Sequence, residues 1–321
     1  MTIGVLAPRV RDDPGHPADW PIGRAALALE AEGTAVVIGD RADGGVLSGV
    51  RARDTGWVRA TLPVTGIYDR FPSRSRAAEH TQLRTALAGV RWVNDPRIVT
   101  LCADKVACQA WITDHVPMPA VEADPERFAE RLAEWGSAFA KPRYGAFGAG
   151  IERVTPESTV AWVRVTSVAG EVEPTILQRA IEAPVGYAGI ALRVLVQRTP
   201  DDAFVAGPAV VRFSVDDPVV NAARGATVTD AAGCAEVDEP RAQALAIAAA
   251  ERLASAPGGT DLVEIGVDLV IDAQRVPHVI EVNSRPRGRL EVLATIDPTR
   301  YRNLHLEACA RPLRWLAAHA G

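Results

Sequence analysis

The chain has 321 residues, too many for one ordinary hydrophobic core, so two or three domains are expected. Apolar residues make up 48% and charged residues 23%, the balance of a soluble globular protein, and a net charge of −5 offers no basic surface to a nucleic acid. No apolar run is long enough to span a bilayer, no basic-flanked leader precedes the first strand, and Cys102, Cys108, Cys234 and Cys309 show neither metal spacing nor a disulfide framework. A reducing, cytoplasmic setting without a membrane partner is therefore expected.

Residues 3–7 read as an apolar strand, followed by a Pro-rich loop to Trp20, a helix over 23–32 and a strand over 34–38. This β-α-β start predicts an open, mostly parallel sheet with ligands beyond the carboxyl ends of its strands. The loop over 8–20 leaves such an end and is either a substrate wall or an ordinary surface loop. Residues 64–68 form the next predicted strand. Asp69-Arg70-Phe71-Pro72-Ser73-Arg74 then makes a turn whose arginines either hold an anion or pair with Asp69 and Glu79. A helix over 77–87 and a short strand over 91–94 close the first domain at Asp95-Pro96.

A helix is predicted over 100–115, with Asp104-Lys105 near its start, Cys102 and Cys108 in its core face, and Pro117 and Pro119 beyond its end. Another covers 128–135. The strand over 138–141 ends in Lys141, and Gly145, Gly148 and Gly150 follow before a strand over 151–154. Bare glycine amides can lie over phosphates, although a plain hairpin turn is the commoner use. The spacing matches neither a P-loop nor the dinucleotide fingerprint. Strands follow over 175–182 (TILQRAIE), 191–197 with Arg193 inside it, and 204–213 with Arg212. An arginine within an apolar strand needs an anionic partner, either a protein acid or a bound phosphate. Helices over 240–256 and 298–320 complete the pattern.

The stretch over 262–290 is the most informative. It predicts a hairpin with Asp268 on its first strand and Glu281 and Asn283 on its second. A spacing of two puts Glu281 and Asn283 on one face. Carboxylates gathered on an inner face repel each other, and oxygen and amide donors without His or Cys suit Mg²⁺. The alternative is an exposed hairpin whose acids face water.

Taken together, Lys105, Lys141 with its glycine loop, TILQRAIE, Arg193, and Asp268 with Glu281 and Asn283 resemble the ATP-grasp superfamily, over about residues 95–293. The Glu-Val-Asn-Ser segment resembles the metal motif of the glutathione-synthetase and ribosomal-protein glutamate-ligase branch. YDRFPSR, KPRYGAFGAGI and LRVLVQR are similar to the endospore-coat-associated YheC/YheD type. The resemblance implies an α/β and α+β chain: an N-terminal α/β domain (1–95), a small ATP-grasp lobe with a glycine-rich lid loop (96–180) and a large C-terminal lobe with the Mg²⁺ site (181–321).

It also implies roles. Lys105 and Lys141 would contact ATP phosphates, and Gly145, Gly148 and Gly150 would close over them. Gln178, Arg179, Ala180 and Ile181 would read the adenine edge through their backbone, and Glu182 would hold the ribose. Asp268, Glu281 and Asn283 would bind one or two Mg²⁺, with Mn²⁺ as a substitute. Arg193 would meet the γ-phosphate or an acyl-phosphate. The branch often has an acid two residues before that arginine, where this chain has Ala191. Arg285 or Arg287, in the unusual run Ser284-Arg285-Pro286-Arg287-Gly288-Arg289, would orient a substrate carboxylate, or else pair with Glu264 or Glu291. The implied activity is a carboxylate–amine ligase for amino acids or short peptides. A phosphotransferase and a non-catalytic coat-associated nucleotide binder are the alternatives. Dimers are common among the relatives.

Overall fold

The computed structural model describes residues 1–7, 15–71, 76–144, 150–158, 165–166, 172–286 and 290–320. The first sheet is built from β1 (Thr2–Leu6), β2 (Ala35–Asp43), β3 (Val46–Arg53), β4 (Gly56–Pro63), β5 (Gly66–Asp69) and β6 (Arg91–Val93). Its order is β4-β3-β2-β1-β5-β6. β1 pairs in parallel with β2 and β5, and β5 with β6. The β2-β3-β4 meander is antiparallel, so the sheet is mixed, with three parallel pairings and two antiparallel ones. Helices α1 (Pro21–Ala31) and α2 (Ala77–Ala86) belong to this unit.

The predicted helix over 100–115 is two helices, α3 (Pro96–Ala103) and α4 (Lys105–Ile112). Asp104 separates them because its carboxylate caps α4, accepting from the amides of Val106 (3.0 Å) and Ala107 (3.2 Å). Cys102 and Cys108 are buried, one on each side of the break, and all four cysteines are free thiols.

The second sheet has β7 (Val121–Glu122), β8 (Ala138–Pro142), β9 (Glu152–Val154) and β12 (Thr175–Arg179), in the order β7-β12-β8-β9, and packs on α5 (Phe128–Trp135). β10 (Val165–Thr166) and β11 (Val172–Glu173) form a two-stranded ribbon. The third sheet carries β13 (Gly189–Arg198), β14 (Phe204–Ala206), β15 (Val210–Ser214), β16 (Thr227–Thr229), β17 (Glu264–Ile271) and β18 (Pro277–Asn283), with β16-β15-β13-β17-β18 in order and β14 beside β13. The expected single strand over 204–213 is thus two strands.

Alternation splits the third sheet into a dry face and a polar face. Leu192, Val194, Val196, Ile265, Val267 and Leu269 face α6 (Glu239–Ala254), whose alanines Ala242, Ala246, Ala249 and Ala250 allow close approach. The opposite face carries the chemistry described below. α7 (Glu291–Ile296) leads into α8 (Pro298–His319), which returns to the first sheet, where Leu313, Trp315 and Leu316 pack with Ile3, Val5 and α1. Gly66 permits this, since a Cβ there would lie 2.9 Å from Leu316 Cδ2. Among the described residues no helix is long and apolar enough to cross a membrane.

Candidate active site

The register of the third sheet assembles the site. Arg193 on β13 lies opposite Asp268 on β17, which lies opposite Glu281 on β18. Asn283 lies opposite Gly266, one step along the same face. A register shift between Asp268 and Leu269 ends this regular stretch, a bulge at the position where the hairpin presents its acids.

The carboxylate of Asp268 is shared. Arg193 donates to it through Nε (2.8 Å) and Nη2 (2.6 Å), Asn283 Nδ2 donates at 2.8 Å, and Arg212 Nη2 reaches it at 3.5 Å. The strand arginines therefore have a protein acid as partner, and it is the acid expected to bind metal. The Asp268 charge pushes the Arg193 guanidinium further up. Burial pushes Arg212 down, and the charge of Arg193 adds to that while Asp268 opposes it.

Two lysines approach this row, Lys105 from α4, which packs on the third sheet and α6, and Lys141 from β8 of the second sheet. Lys105 is the first residue of α4, where the helix dipole disfavours a cation, yet it is buried with Nζ 3.9 Å from Glu281. Lys141, at the end of β8, is also buried and donates to Gln178 Oε1 at 2.7 Å. Gln178 Nε2 in turn reaches the Ile280 carbonyl of β18 at 3.4 Å, so the chain Lys141–Gln178–β18 joins the second and third sheets. Burial pushes the Lys141 ammonium down to about 8; Lys105 pushes the same way, and Glu281 and Asp268 oppose it.

Four cations (Lys105, Lys141, Arg193, Arg212) thus surround two carboxylates (Asp268, Glu281). The surplus of positive charge suits a polyanion. Among the described residues no three His, Cys, Asp or Glu side chains cluster, and the donor set reaches three only with the Asn283 amide. Two carboxylates and an amide oxygen are hard donors that fit Mg²⁺, which fills its other positions with water and phosphate oxygens.

Other expected residues fall elsewhere. Gly145 and Gly148 lie outside the described residues, as do Arg74, Arg287, Arg289 and residues 8–14. Gly150 is described, with φ +67°. The N–H groups of Arg179 and Ala180 donate to the carbonyls of Ala120 (2.9 Å) and Ser137 (3.1 Å), so these two donors are already engaged within the fold. Glu182, exposed, pairs with Arg153 at 2.6 Å.

Arg285 pairs with Asp69 at 3.0 Å, an acid of the first sheet rather than Glu264 or Glu291. Asp69 also meets His80 Nε2 (2.9 Å) and the Phe71 amide (3.0 Å). Burial would raise its carboxyl, but His80, Arg285 and that amide together hold it below the usual range. Arg70 pairs with Glu264 (3.2 Å), which also accepts from Tyr68 (2.7 Å), and Arg76 takes Glu79.

Sequence reasoning missed Asn94. Its Nδ2 donates to the carbonyls of Glu264 and Ser284, both at 2.6 Å, and its Oδ1 accepts from the amides of Val263 (2.7 Å) and Glu264 (3.1 Å). One buried amide thus ties the start of β17 to the end of β18, the two strands that present Asp268, Glu281 and Asn283. Its partners are 169 to 190 residues away in sequence, so no local pattern could show them.

Residues 160–306 match the family described as YheC/D like ATP-grasp. No curated protein matches the chain in sequence. Solved structures match its fold. D-cycloserine synthetase DcsG aligns over 98% of this chain and 100% of its own, with a TM-score of 0.62 at 19% identity. D-alanyl-alanine synthetase A from Vibrio cholerae aligns over 97% and 98%, with 0.59 at 13%. A Chryseobacterium gregarium RiPP-associated ATP-grasp ligase, in complex with ADP and a leader and core peptide, aligns over 97% and 96%, with 0.57 at 12%.

Proposed function

We propose that the chain, whose residues 160–306 match the YheC/D like ATP-grasp family and whose fold is that of D-cycloserine synthetase DcsG, is an ATP-dependent carboxylate–amine ligase. The observation that carries the reading is the row Arg193–Asp268–Glu281 with Asn283 beside it, facing Lys105 and Lys141 where the lobes meet. Relatives of the same fold support it: one is a D-alanyl-alanine synthetase, and the ligase PsnB was solved with a phosphomimetic precursor variant, Mg and ADP, at TM-score 0.56.

Lys141 and Lys105 hold the ATP phosphates as point charges. Asp268, Glu281 and Asn283 are the residues to hold Mg²⁺, which when bound neutralises phosphate oxygens and lowers the charge that repels an incoming carboxylate. Arg193 and Arg212 draw that carboxylate to the γ-phosphate. A carboxylate oxygen attacks the γ-phosphorus, the bond to the bridging oxygen breaks, and ADP leaves. An amine nitrogen then attacks the acyl carbon, phosphate departs, and the amine proton passes to solvent. Residues 178–182 are the proposed adenine and ribose contacts, and the glycine loop the cover that excludes water. Four buried free thiols suit a reducing cytoplasm.

The test is ADP release with Mg·ATP against amino acids and dipeptides, singly and in pairs, with product mass read in parallel and Glu281→Ala as blank. Pair-dependent ADP with a mass gain equal to condensation is expected. ADP with a stable phosphorylated product and no need for an amine would make it a phosphotransferase instead.

A further inference from the structure

A cleft of ≈ 410 Å³ opens on the polar face of the third sheet, directly beside the Arg193–Asp268 pair. Leu195, Val210 and Val228 supply strand walls, and Pro286, Leu290 and Val292 supply the facing wall. Gly266 lines it without a side chain; a Cβ there would lie 3.1 Å from Pro286 Cβ, so any larger residue would crowd the space. Among the described residues Arg193 and Arg212 are its cations and Glu291 its carboxylate. Arg212 is poorly used by the protein: it meets Asp268 only at 3.5 Å, and its buried Nε has no hydrogen-bond partner among the described residues. A buried guanidinium so placed suits an arriving anion.

We infer that this cleft holds the carboxylate substrate, an amino acid with an apolar, branched or aromatic side chain, its carboxylate drawn to Arg212 and Arg193 and its ammonium to Glu291. The inference rests on the ligase reading and adds the substrate class. Only a carboxylate at the arginine end of the cleft is close enough to the Asp268 row to take a phosphoryl group. The volume lies at the low end for ligand sites, which suits one amino acid rather than a long peptide. Apolar walls favour a side chain that loses no hydrogen bonds on entering.

The test needs no knowledge of the amine. With Mg·ATP, hydroxylamine nitrogen attacks the acyl carbon of an acyl-phosphate, releasing phosphate and leaving a hydroxamate that is counted by colour and mass. Leucine, phenylalanine, alanine, serine, glutamate and lysine are compared. The expected result is a kcat/KM for leucine or phenylalanine roughly tenfold or more above those of the polar acids. Thr295→Trp, an exposed change at the cleft mouth, should lower the value for the preferred acid by roughly tenfold while leaving the KM for ATP unchanged. Val228→Ala should shift preference towards the larger side chain and serves as the second, enlarging variant. Equal or better turnover of polar acids, or a preferred acid indifferent to both variants, would overturn the inference and leave the ligase reading standing. Silence with every amino acid from a protein that binds ATP would overturn the inference, and the ligase reading would then stand or fall on the dipeptide panel.

Discussion

Asp268 and Glu281 lie opposite each other on neighbouring strands, yet they are held differently, and that separates their mutational effects. Asp268 neutralises Arg193 and Arg212, whereas Glu281 faces Lys105 at 3.9 Å and is partly exposed. Asp268→Asn should therefore destabilise the empty protein by about 2 kcal/mol, because two guanidinium groups lose their shared acid. Glu281→Gln should leave the urea midpoint nearly unchanged and still abolish ADP release. Equal midpoints for the two variants would contradict this account of the Asp268 pairing.

Lys141 gives a pH prediction. Its ammonium is pushed from 10.5 down to about 8, so the unfolded state binds more protons between those values. The empty protein should then gain stability as pH rises from about 8 towards 10.5, and below 8 it carries the full cost of the buried charge. Lys141→Met removes that cost along with the bond to Gln178. At pH 7 the variant should be at least as stable as the parent by thermal melting, while the stabilisation given by ATP disappears. A variant that melts far below the parent would show that the lysine serves the fold.

At the scale of elements, legibility followed how local the cause was. The helix over 128–135 and the hairpin carrying Asp268, Glu281 and Asn283 could be read because each is set by its own apolar spacing. The β3-β4 pair could not: Arg51, Arg53 and Arg59 interrupt the alternation, and β4 is largely exposed at the sheet edge. The α3/α4 break turns on one side chain, Asp104, which caps α4 and pairs with Arg143 at 2.6 Å. Asp104→Ala should cost about 1 kcal/mol in chemical denaturation, and it should weaken ATP binding because Lys105 is the first residue after the cap. Unchanged affinity would detach Lys105 from the nucleotide.

Across the whole molecule, the first sheet and the large lobe are clasped by Asn94, by the Tyr68–Glu264–Arg70 contacts, by Asp69 with Arg285, and by α8. The order of motifs along the chain was enough to point to the fold. The clasp was not legible, since every one of its links joins residues far apart in sequence. It binds the hairpin that bears the acids to the first sheet. Asn94→Asp would replace two donors with a buried charge and should cost about 3 kcal/mol or more by urea denaturation. A variant as stable as the parent would mean that the hairpin is positioned without it.

In the proposed ligase, the polar face of the third sheet, through Asp268, Glu281 and Asn283, receives ATP and Mg²⁺ as a unit with Lys105 and Lys141. Calorimetric titration of ATP, with and without Mg²⁺, against the parent and a Glu281→Gln/Asn283→Leu double variant tests it most directly. Binding to the parent should depend on Mg²⁺, and that dependence should be lost in the variant with its fold intact by circular dichroism. Equal Mg²⁺-dependent affinity in both proteins would contradict it.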